Sequence, residues 1–336
     1  RHIARDDREH GTGVGVDGRR GPDAELSDPE THGKGSGEAC EPPHPQEESL
    51  NDTSPLCHSA TPSLQGGSHN FVPHPLDLDR LGYDDPRVFA LFQRADTTGV
   101  FQFESGGMRR LLVDMRPDRL EDLIAANALF RPGPMDLIPD YNRRKHGLDH
   151  VPAVHPIVDQ YTRETYGVMV YQEQVMQIVH GLGGIKLRDA YTLIKNISKK
   201  KHDKIEKERP KFVEGAQKQG LSKDKAEELF ELILKFAGYG FNKSHSTGYA
   251  IVAYQTAYLK TYFPNQYMAA FLTYESQANK VSDWIPYLED CRRTRIIDPS
   301  TGETKRVGVE VRPPDINLSQ ADFAVVRDGQ SSHVRF

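Results

Sequence analysis

The first 70 residues contain no Phe, Tyr, Trp or Met, so all 29 aromatic residues of this 336-residue chain lie downstream of them. The same 70 residues hold 17 Pro and Gly, with 13 acidic residues against 6 Lys and Arg. A segment so poor in large apolar side chains cannot bury enough surface to offset the entropy of ordering its backbone. We therefore expect residues 1–70 to be a disordered or foreign polar tail.

The charge of the remainder excludes few partners, whereas the cysteines of the whole chain argue against several kinds of site. Removing the tail from the totals of 43 basic and 48 acidic residues leaves 37 and 35, a net charge of about +2 instead of −5. Cys40, Cys57 and Cys291 show no paired spacing, which argues against a zinc site or a disulfide framework.

No apolar run could span a membrane and no secretory leader is present, so we expect a cytoplasmic protein without membrane contacts. Because the chain begins with Arg1 instead of Met, we also expect it to be a piece of a longer protein.

Downstream of the tail the pattern is mainly helical. Asp85 before a proline, and Ser105 before an apolar stripe, predict two helix starts. Residues 166–171 are typical of one short strand, and alternating runs at 306–311 and 323–326 predict small strands near the end. The expected fold is mainly α: a helical domain over 71–290 with a few short strands, and a small, truncated α+β end over 291–336.

One stretch, residues 235–255, suggests a phosphate site. A helix runs into Gly238, and a second helix is predicted to start near Ser246. Four donors lie between them: Asn242, Lys243, Ser244 and His245. The start of a helix offers free backbone N–H groups and a positive dipole end, which favour an anion. The alternative is that the glycines and Ser246 only cap helices and that the four residues form a solvated loop.

A basic stripe follows from helical spacing between residues 186 and 211. At about 100° per residue, Leu187, Ala190, Ile194 and Ile197 share one face of a helix. The nearly opposite face carries Arg188, Thr192, Lys195 and Lys199. Ten Lys and Arg against four acids in residues 186–211 suggest a surface for a polyanion, whereas the alternative is an ordinary solvated face.

Two further segments carry polar residues at structural breaks. Arg131 lies in an Arg-Pro-Gly-Pro turn, where it could face a phosphate or an acidic partner or be only the polar tip of the turn. Gln172, Glu173 and Gln174 open a helix, where they could bond a base edge or a neighbouring loop, or be simply a favourable first turn.

Five stretches, in the same order, resemble the fingers region of family C polymerases, the alpha subunits of bacterial DNA polymerase III. They are VFQFES at 100–105, ALFRPGP at 128–134, YGVMVYQEQVM at 166–176, FAGYGFNKSHSTGYAIVAYQTAYLK at 236–260 and PPDIN at 313–317. The resemblance covers about residues 75–336. It implies a helical fingers domain, DNA-templated DNA synthesis by the whole enzyme, and Mg²⁺ as its metal.

The resemblance also implies roles for named residues. Those expected to bind the nucleotide or its phosphates are Lys195, Lys199, Lys200, Asn242, Lys243, Ser244 and His245. Those expected to contact DNA or the palm junction are Arg131, Arg188, Gln172, Glu173 and Gln174. The implied partners are a primer-template, a dNTP and, through regions outside this chain, the sliding clamp and clamp loader.

The sequence departs from the family in two ways. Many relatives have two adjacent arginines where this chain has Ile194 and Lys195, so either Lys199 and Lys200 replace them or nucleotide binding is weaker. The palm motifs Asp-x-Asp and Asp-Phe-Leu-Gly-Leu are missing, and Asp77 and Asp79 lack the palm context. We therefore expect no catalytic or metal-binding residue here and no activity from this chain alone. The alternatives are a stand-alone helical nucleic-acid-binding module and a structural domain with solubilising lysines.

Overall fold

A computed structural model of the chain describes residues 76–336 apart from positions 238, 298–300, 302, 307 and 330. The disorder expected for residues 1–70 lies outside the described residues. Within them, the mainly helical class with a few short strands and a small mixed end is confirmed. None of the helices in this part of the chain is long and apolar enough to cross a bilayer.

The first group of helices surrounds an aromatic core. It consists of α1 (Pro86–Gln93), α2 (Gly106–Met115), α3 (Leu120–Leu129) and α4 (Ile138–Lys145). The predicted caps are confirmed: Asp85 accepts from the Arg87 N–H at 2.8 Å and Ser105 from the Met108 N–H at 3.3 Å. Because the caps fix where these helices start, their apolar stripes face the interior. Phe89 and Phe92 of α1 are buried there together with Phe103 from the segment before α2.

The second group has its own apolar core. Its helices are α5 (Pro156–Thr162), α6 (Gln172–Gly181), α7 (Leu187–Ser198), α8 (His202–Glu206), α9 (Arg209–Lys218) and α10 (Lys223–Ala237). Phe212 of α9 and Phe230 of α10 are fully buried there against the inner faces of α6 and α7. Helices α6 and α7 therefore present only their outer faces to solvent.

Helix α11 (Lys243–Tyr262) returns the chain to the first core, where Ala250, Ala253 and Tyr254 are buried against α3 and α1. The predicted start near Ser246 is wrong by three residues. The true cap is Asn242, whose side-chain oxygen accepts from the His245 N–H at 2.8 Å. Ser246 lies inside the first turn, buried, and its hydroxyl donates to the Ile124 carbonyl at 2.7 Å.

The strand predicted over residues 166–171 is also wrong. Tyr166 and Gly167 adopt positive φ values of 53° and 77°, which a strand cannot accommodate. What remains is a single parallel bridge between Tyr171 and Phe241. That bridge joins the start of α6 to the segment before α11, so it brings the two helix starts together.

The C-terminal part combines two helices with short strands. They are α12 (Pro264–Ala278), α13 (Ile285–Arg293), β1 (Arg295–Ile297), β2 (Thr304–Arg306), β3 (Val311–Arg312), β4 (Ala324–Asp328) and β5 (Ser331–Arg335). The run predicted over 306–311 is thus split between β2 and β3. Strands β1 and β2 pair antiparallel; in the other sheet β5 lies between β3, which is parallel to it, and β4, which is antiparallel.

A third core spans the position where the sequence predicted a domain boundary. Met268 and Leu272 of α12 pack with Cys291, Phe323 and Val334 from beyond residue 290. Burial raises the pKa of the Cys291 thiol to about 12, as expected for an inert core cysteine. The division into 71–290 and 291–336 stays a prediction.

A buried ionic network fixes the segment between α5 and α6. The Asp122 carboxylate is fully buried, with the Lys145 ammonium at 2.8 Å and the Tyr141 hydroxyl donating to it at 3.2 Å. Burial raises the pKa of Asp122, and the hydrogen bond from Lys145 opposes that rise. The neighbouring Arg119 donates to the Glu164 carbonyl at 2.8 Å. Glu164 is thereby held close to the start of α11.

Candidate functional site

The outer face of α7 carries the predicted basic stripe. Arg188, Lys195 and Lys199 are all exposed, and we call these three residues the α7 basic face. The opposite face is buried as predicted at Ala190, Ile194 and Ile197, although Leu187 opens the helix and is 44% exposed. In the described part of the chain, none of the three cations forms an ion pair, so their charges face solvent unneutralised.

A cavity of about 170 Å³ lies beside this face. It is lined by Gln172, Tyr191, Ile194, Lys195, Ser198 and Lys199. The first residue of α6 therefore meets the last two turns of α7, although the sequence places Gln172 and Lys195 in different motifs. Two cations and an amide around one cavity can bind an oxyanion such as phosphate. Lys200 does not line the cavity: it adopts φ 53°, and its backbone N–H donates to the Ile197 carbonyl at 2.9 Å, which ends α7.

The start of α11 does bind an anion, and that anion belongs to the chain itself. The Glu173 carboxylate accepts from the Asn242 side-chain amide and from the Lys243 backbone N–H, both at 3.0 Å. A carboxylate at the positive end of a helix dipole is a stable arrangement. The position that the sequence predicted for an external phosphate is thus held by an internal carboxylate.

The remaining residues of the predicted loop also have local contacts. The Lys243 ammonium pairs with the Glu164 carboxylate at 2.7 Å and lies 5.5 Å from the centre of the Tyr171 ring. The exposed His245 ring lies between Phe241 and Tyr249, with ring centres 5.5 and 4.4 Å away. Ser244 is exposed, and within the described residues its side chain makes no hydrogen bond.

Three residues predicted to contact DNA or the junction bond to neighbouring loops. Arg131 donates to the Tyr239 carbonyl at 2.8 Å and lies over the Phe241 ring at 4.2 Å. Gln172 donates to the Gly240 carbonyl at 2.8 Å. Gln174 is buried.

The amide of Gln174 is fully used within the fold. Its oxygen accepts from the N–H groups of Val170 and Tyr171 at 2.8 and 2.9 Å, and its nitrogen donates to Tyr161 and Thr165 at 3.1 and 2.8 Å. Of the three possibilities raised by the sequence, Gln172 and Gln174 display the contact with a neighbouring loop. For Gln174 the base-edge alternative would require breaking the start of α6.

Comparison with known proteins identifies the family. A family model of the bacterial DNA polymerase III alpha subunit finger domain matches residues 68–220. The DNA polymerase III subunit alpha of Thermus aquaticus is 44% identical over 257 residues, which are 75% of this chain and 20% of that protein. The chain belongs to the bacterial DNA polymerase III alpha subunit family. The resemblance inferred from the five sequence stretches is thereby confirmed.

Two further relatives agree. The alpha subunit of Campylobacter jejuni is 42% identical over 257 residues, which are 76% of this chain and 20% of that protein. That of Xylella fastidiosa is 47% identical over 223 residues, or 66% of this chain and 18% of its own length. The chain therefore spans about a fifth of the length of the curated alpha subunits that it matches.

Sequence reasoning missed aromatic residues of this alpha-subunit region that lie beside the predicted donors. Tyr191 lines the α7 cavity and is 57% exposed. It precedes Lys195 by four residues, so the helical wheel that found the stripe could also have found the tyrosine. The Tyr239 ring packs against Gly133, whose φ of 100° and close approach leave no room for a Cβ. No local signal could have shown that contact.

The metal expected for the family has no matching ligands in the part of the chain that the structure describes. Among the described residues of the finger domain, no group of three or more His, Cys, Asp or Glu could hold a metal ion. Of the Asp-x-Asp pair at 77 and 79, Asp77 forms an ion pair with Arg80 at 3.3 Å. These residues do not fit a two-metal site.

Proposed function

We propose that this chain is part of a replicative DNA polymerase and that its α7 basic face binds the triphosphate of the incoming dNTP beside the primer-template. The observation that carries the proposal is the α7 cavity, where Lys195, Lys199 and Gln172 converge without a carboxylate. Lysines supply the charge that phosphate oxygens require, and they do so as point charges and not as bidentate forks. Arg188, earlier on the same face, extends the basic surface toward a second phosphate.

The departure at Ile194 and Lys195 favours Lys199 as the second cation. Ile194 is buried in the second core and also lines the cavity, but its apolar side chain contributes no charge. Lys199 lies one turn beyond Lys195 and lines the same cavity. Lys200 does not line this cavity and follows the end of α7 in a left-handed conformation.

The parts of the reaction that this chain does not supply belong to the rest of the alpha subunit. Mg²⁺, the metal that the family resemblance implies, would be held by residues of the parent enzyme outside this chain. Contacts with the sliding clamp and clamp loader would also come from other regions. The chain's own residues would bind and orient the triphosphate, in a cytoplasmic enzyme.

The test is a binding measurement on the full chain with a dNTP and, separately, with a primer-template. Lys195→Gln and Lys199→Gln should each weaken dNTP binding by roughly 1 kcal/mol, and up to about 3 if the hydrogen bond to phosphate is strong. Lys223→Gln is the control, because Lys223 is exposed at the start of α10, away from the cavity. Equal, small effects at all three positions would contradict the proposal.

The primer-template arm separates the polymerase function from the stand-alone binding module. A finger domain should lose dNTP affinity when the α7 lysines are removed. A general nucleic-acid-binding module should lose only primer-template affinity and show no dNTP binding in the unmodified chain.

A further inference from the structure

A second basic cavity, of about 200 Å³, lies where the end of α1 meets α2, α11 and the end of α13. Its cationic lining residues are Arg94, Arg109, Lys260, Arg293 and Arg295. Its acidic lining residues are Asp96 and Asp290, so the described lining has an excess of three positive charges. It shares no lining residue with the cavity beside the α7 basic face.

Both carboxylates of this cavity already have partners. The Lys260 ammonium is only 3% exposed, and it donates to the Asp290 carboxylate at 2.7 Å and to the carbonyls of Asp96 and Thr98 at 3.0 and 2.7 Å. The Arg94 Nε donates to the Asp96 carboxylate at 2.8 Å. Lys260 therefore forms the buried base of the cavity and links α11 to α13 and to the turn after α1.

The excess charge is carried by the other three arginines. Arg109 donates to the Thr98 hydroxyl at 2.6 Å, but its Nε is buried and makes no hydrogen bond within the described residues. Arg293 is 71% exposed and lies 3.6 Å from Glu289, a weak surface pair. Arg295 is exposed at the start of β1. These arginines, of which only Arg293 has a weak carboxylate partner among the described residues, and the unused buried Nε of Arg109 give the cavity wall groups that can bind an anion.

We infer that this cavity binds a phosphate group. The guanidinium fork matches two phosphate oxygens at once, and three arginines from separate elements can surround a single tetrahedral anion. The phosphate could be free or could belong to a DNA backbone, because Arg293 and Arg295 at the rim are open to a longer chain. This site goes beyond the function proposed above, which uses α7 and none of these residues.

The test is a titration of the full chain with inorganic phosphate at constant ionic strength. Binding is measured from the NMR chemical shifts of the protein. The double change Arg293→Gln with Arg295→Gln, and separately Arg109→Gln, should each weaken phosphate binding by about tenfold or more. Arg292→Gln is the matched control: it removes one arginine from the same helix end, but Arg292 lines a different cavity. The control should change phosphate affinity less than about twofold. We call the double change Arg293→Gln with Arg295→Gln the rim variant. Both of its residues are exposed, so it keeps the test valid if Arg109→Gln lowers the melting temperature.

A second arm uses a short oligothymidylate to separate the two sources of phosphate. If the cavity takes a backbone phosphate, the rim variant should reduce the slope of log affinity against log salt by about 0.7 for each lost contact. If only free phosphate binds, inorganic phosphate affinity falls and the oligothymidylate slope does not. Both measurements should give the same result in a Lys195→Gln, Lys199→Gln background, which keeps this inference separate from the proposed dNTP site. Equal phosphate affinity in the rim variant, the Arg292→Gln control and the unmodified chain would overturn the inference.

Discussion

The start of α11 and the outer face of α7 carry the same kind of sequence signal and differ in what they offer a ligand. At α11, Glu173 occupies the helix start and Glu164 pairs with Lys243, so the positive groups are already satisfied. On α7, the cations Lys195 and Lys199 border an open cavity. A run of donors at a helix therefore indicates an anion site only when no carboxylate from elsewhere in the fold reaches it.

The distance along the chain explains why the two regions could not be told apart in advance. Glu173 and Glu164 precede Lys243 by 70 and 79 residues. They reach α11 because the Tyr171–Phe241 bridge joins the two helix starts and because Arg119 holds the Glu164 backbone. The cations of the α7 face all lie on or at the end of one helix, so helical spacing describes their arrangement well.

The largest effect is expected from removing the internal anion. Glu173→Ala deletes two hydrogen bonds at the start of α11, one of them to a backbone N–H, so the free energy of unfolding should fall by about 1–3 kcal/mol. Urea denaturation measures the change. Asp189→Ala is the control, because Asp189 is an exposed first-turn acid on α7 whose loss should cost only the dipole interaction, about 0.3–1 kcal/mol. Equal losses in the two variants would mean that the Glu173 hydrogen bonds contribute nothing beyond the dipole.

The same variant should also turn the α11 start into the site that the sequence predicted. With Glu173 gone, the Lys243 N–H is free, and an external anion should regain about 0.3–1 kcal/mol from the helix dipole. Added inorganic phosphate should therefore raise the melting temperature of Glu173→Ala more than that of the unmodified chain. Asp189→Ala should respond to phosphate like the unmodified chain, and an identical response in all three proteins would contradict this explanation.

Local patterns predicted most of the helical framework and little of the site. The caps at Asp85 and Ser105 and the buried face of α7 depend on neighbours three or four residues away, and they are confirmed except at Leu187, which is exposed. The start of α11 was misplaced because Ser246 looks like a cap in sequence but lies buried beside α3. The α7 cavity required Gln172 from another helix, and only the tertiary fold brings it there.

A smaller effect is expected at Lys243. Its ion pair with Glu164 is partly exposed, so Lys243→Gln should lower the free energy of unfolding by about 0.2–1 kcal/mol. Lys218→Gln breaks a fully exposed pair with Glu214 and should cost almost nothing, which makes it the control for loss of one surface charge. Thermal unfolding at low salt gives both values, and the Lys243 effect should shrink as salt is added because the pair is screened. A loss at Lys218 equal to that at Lys243 would show that net charge, and not the Glu164 pair, sets the result.

The smallest expected effect is a coupling energy near zero, and it tests the comparison most directly. Residues that share a binding partner typically show coupling energies of roughly 0.5–3 kcal/mol. If Lys195 and Lys243 contacted one triphosphate, the effect of Lys195→Gln with Lys243→Gln on the free energy of dNTP binding should therefore differ from the sum of the two single effects by at least about 0.5 kcal/mol. Because Lys243 is paired with Glu164 and Lys195 faces the α7 cavity, we expect the two effects to add within about 0.3–0.5 kcal/mol. Lys195 with Lys199 provides the positive control, since both line that cavity and should be coupled. Coupling of Lys195 to Lys243 as strong as that control would mean that the nucleotide draws Lys243 away from Glu164, and the two regions would then act as one site.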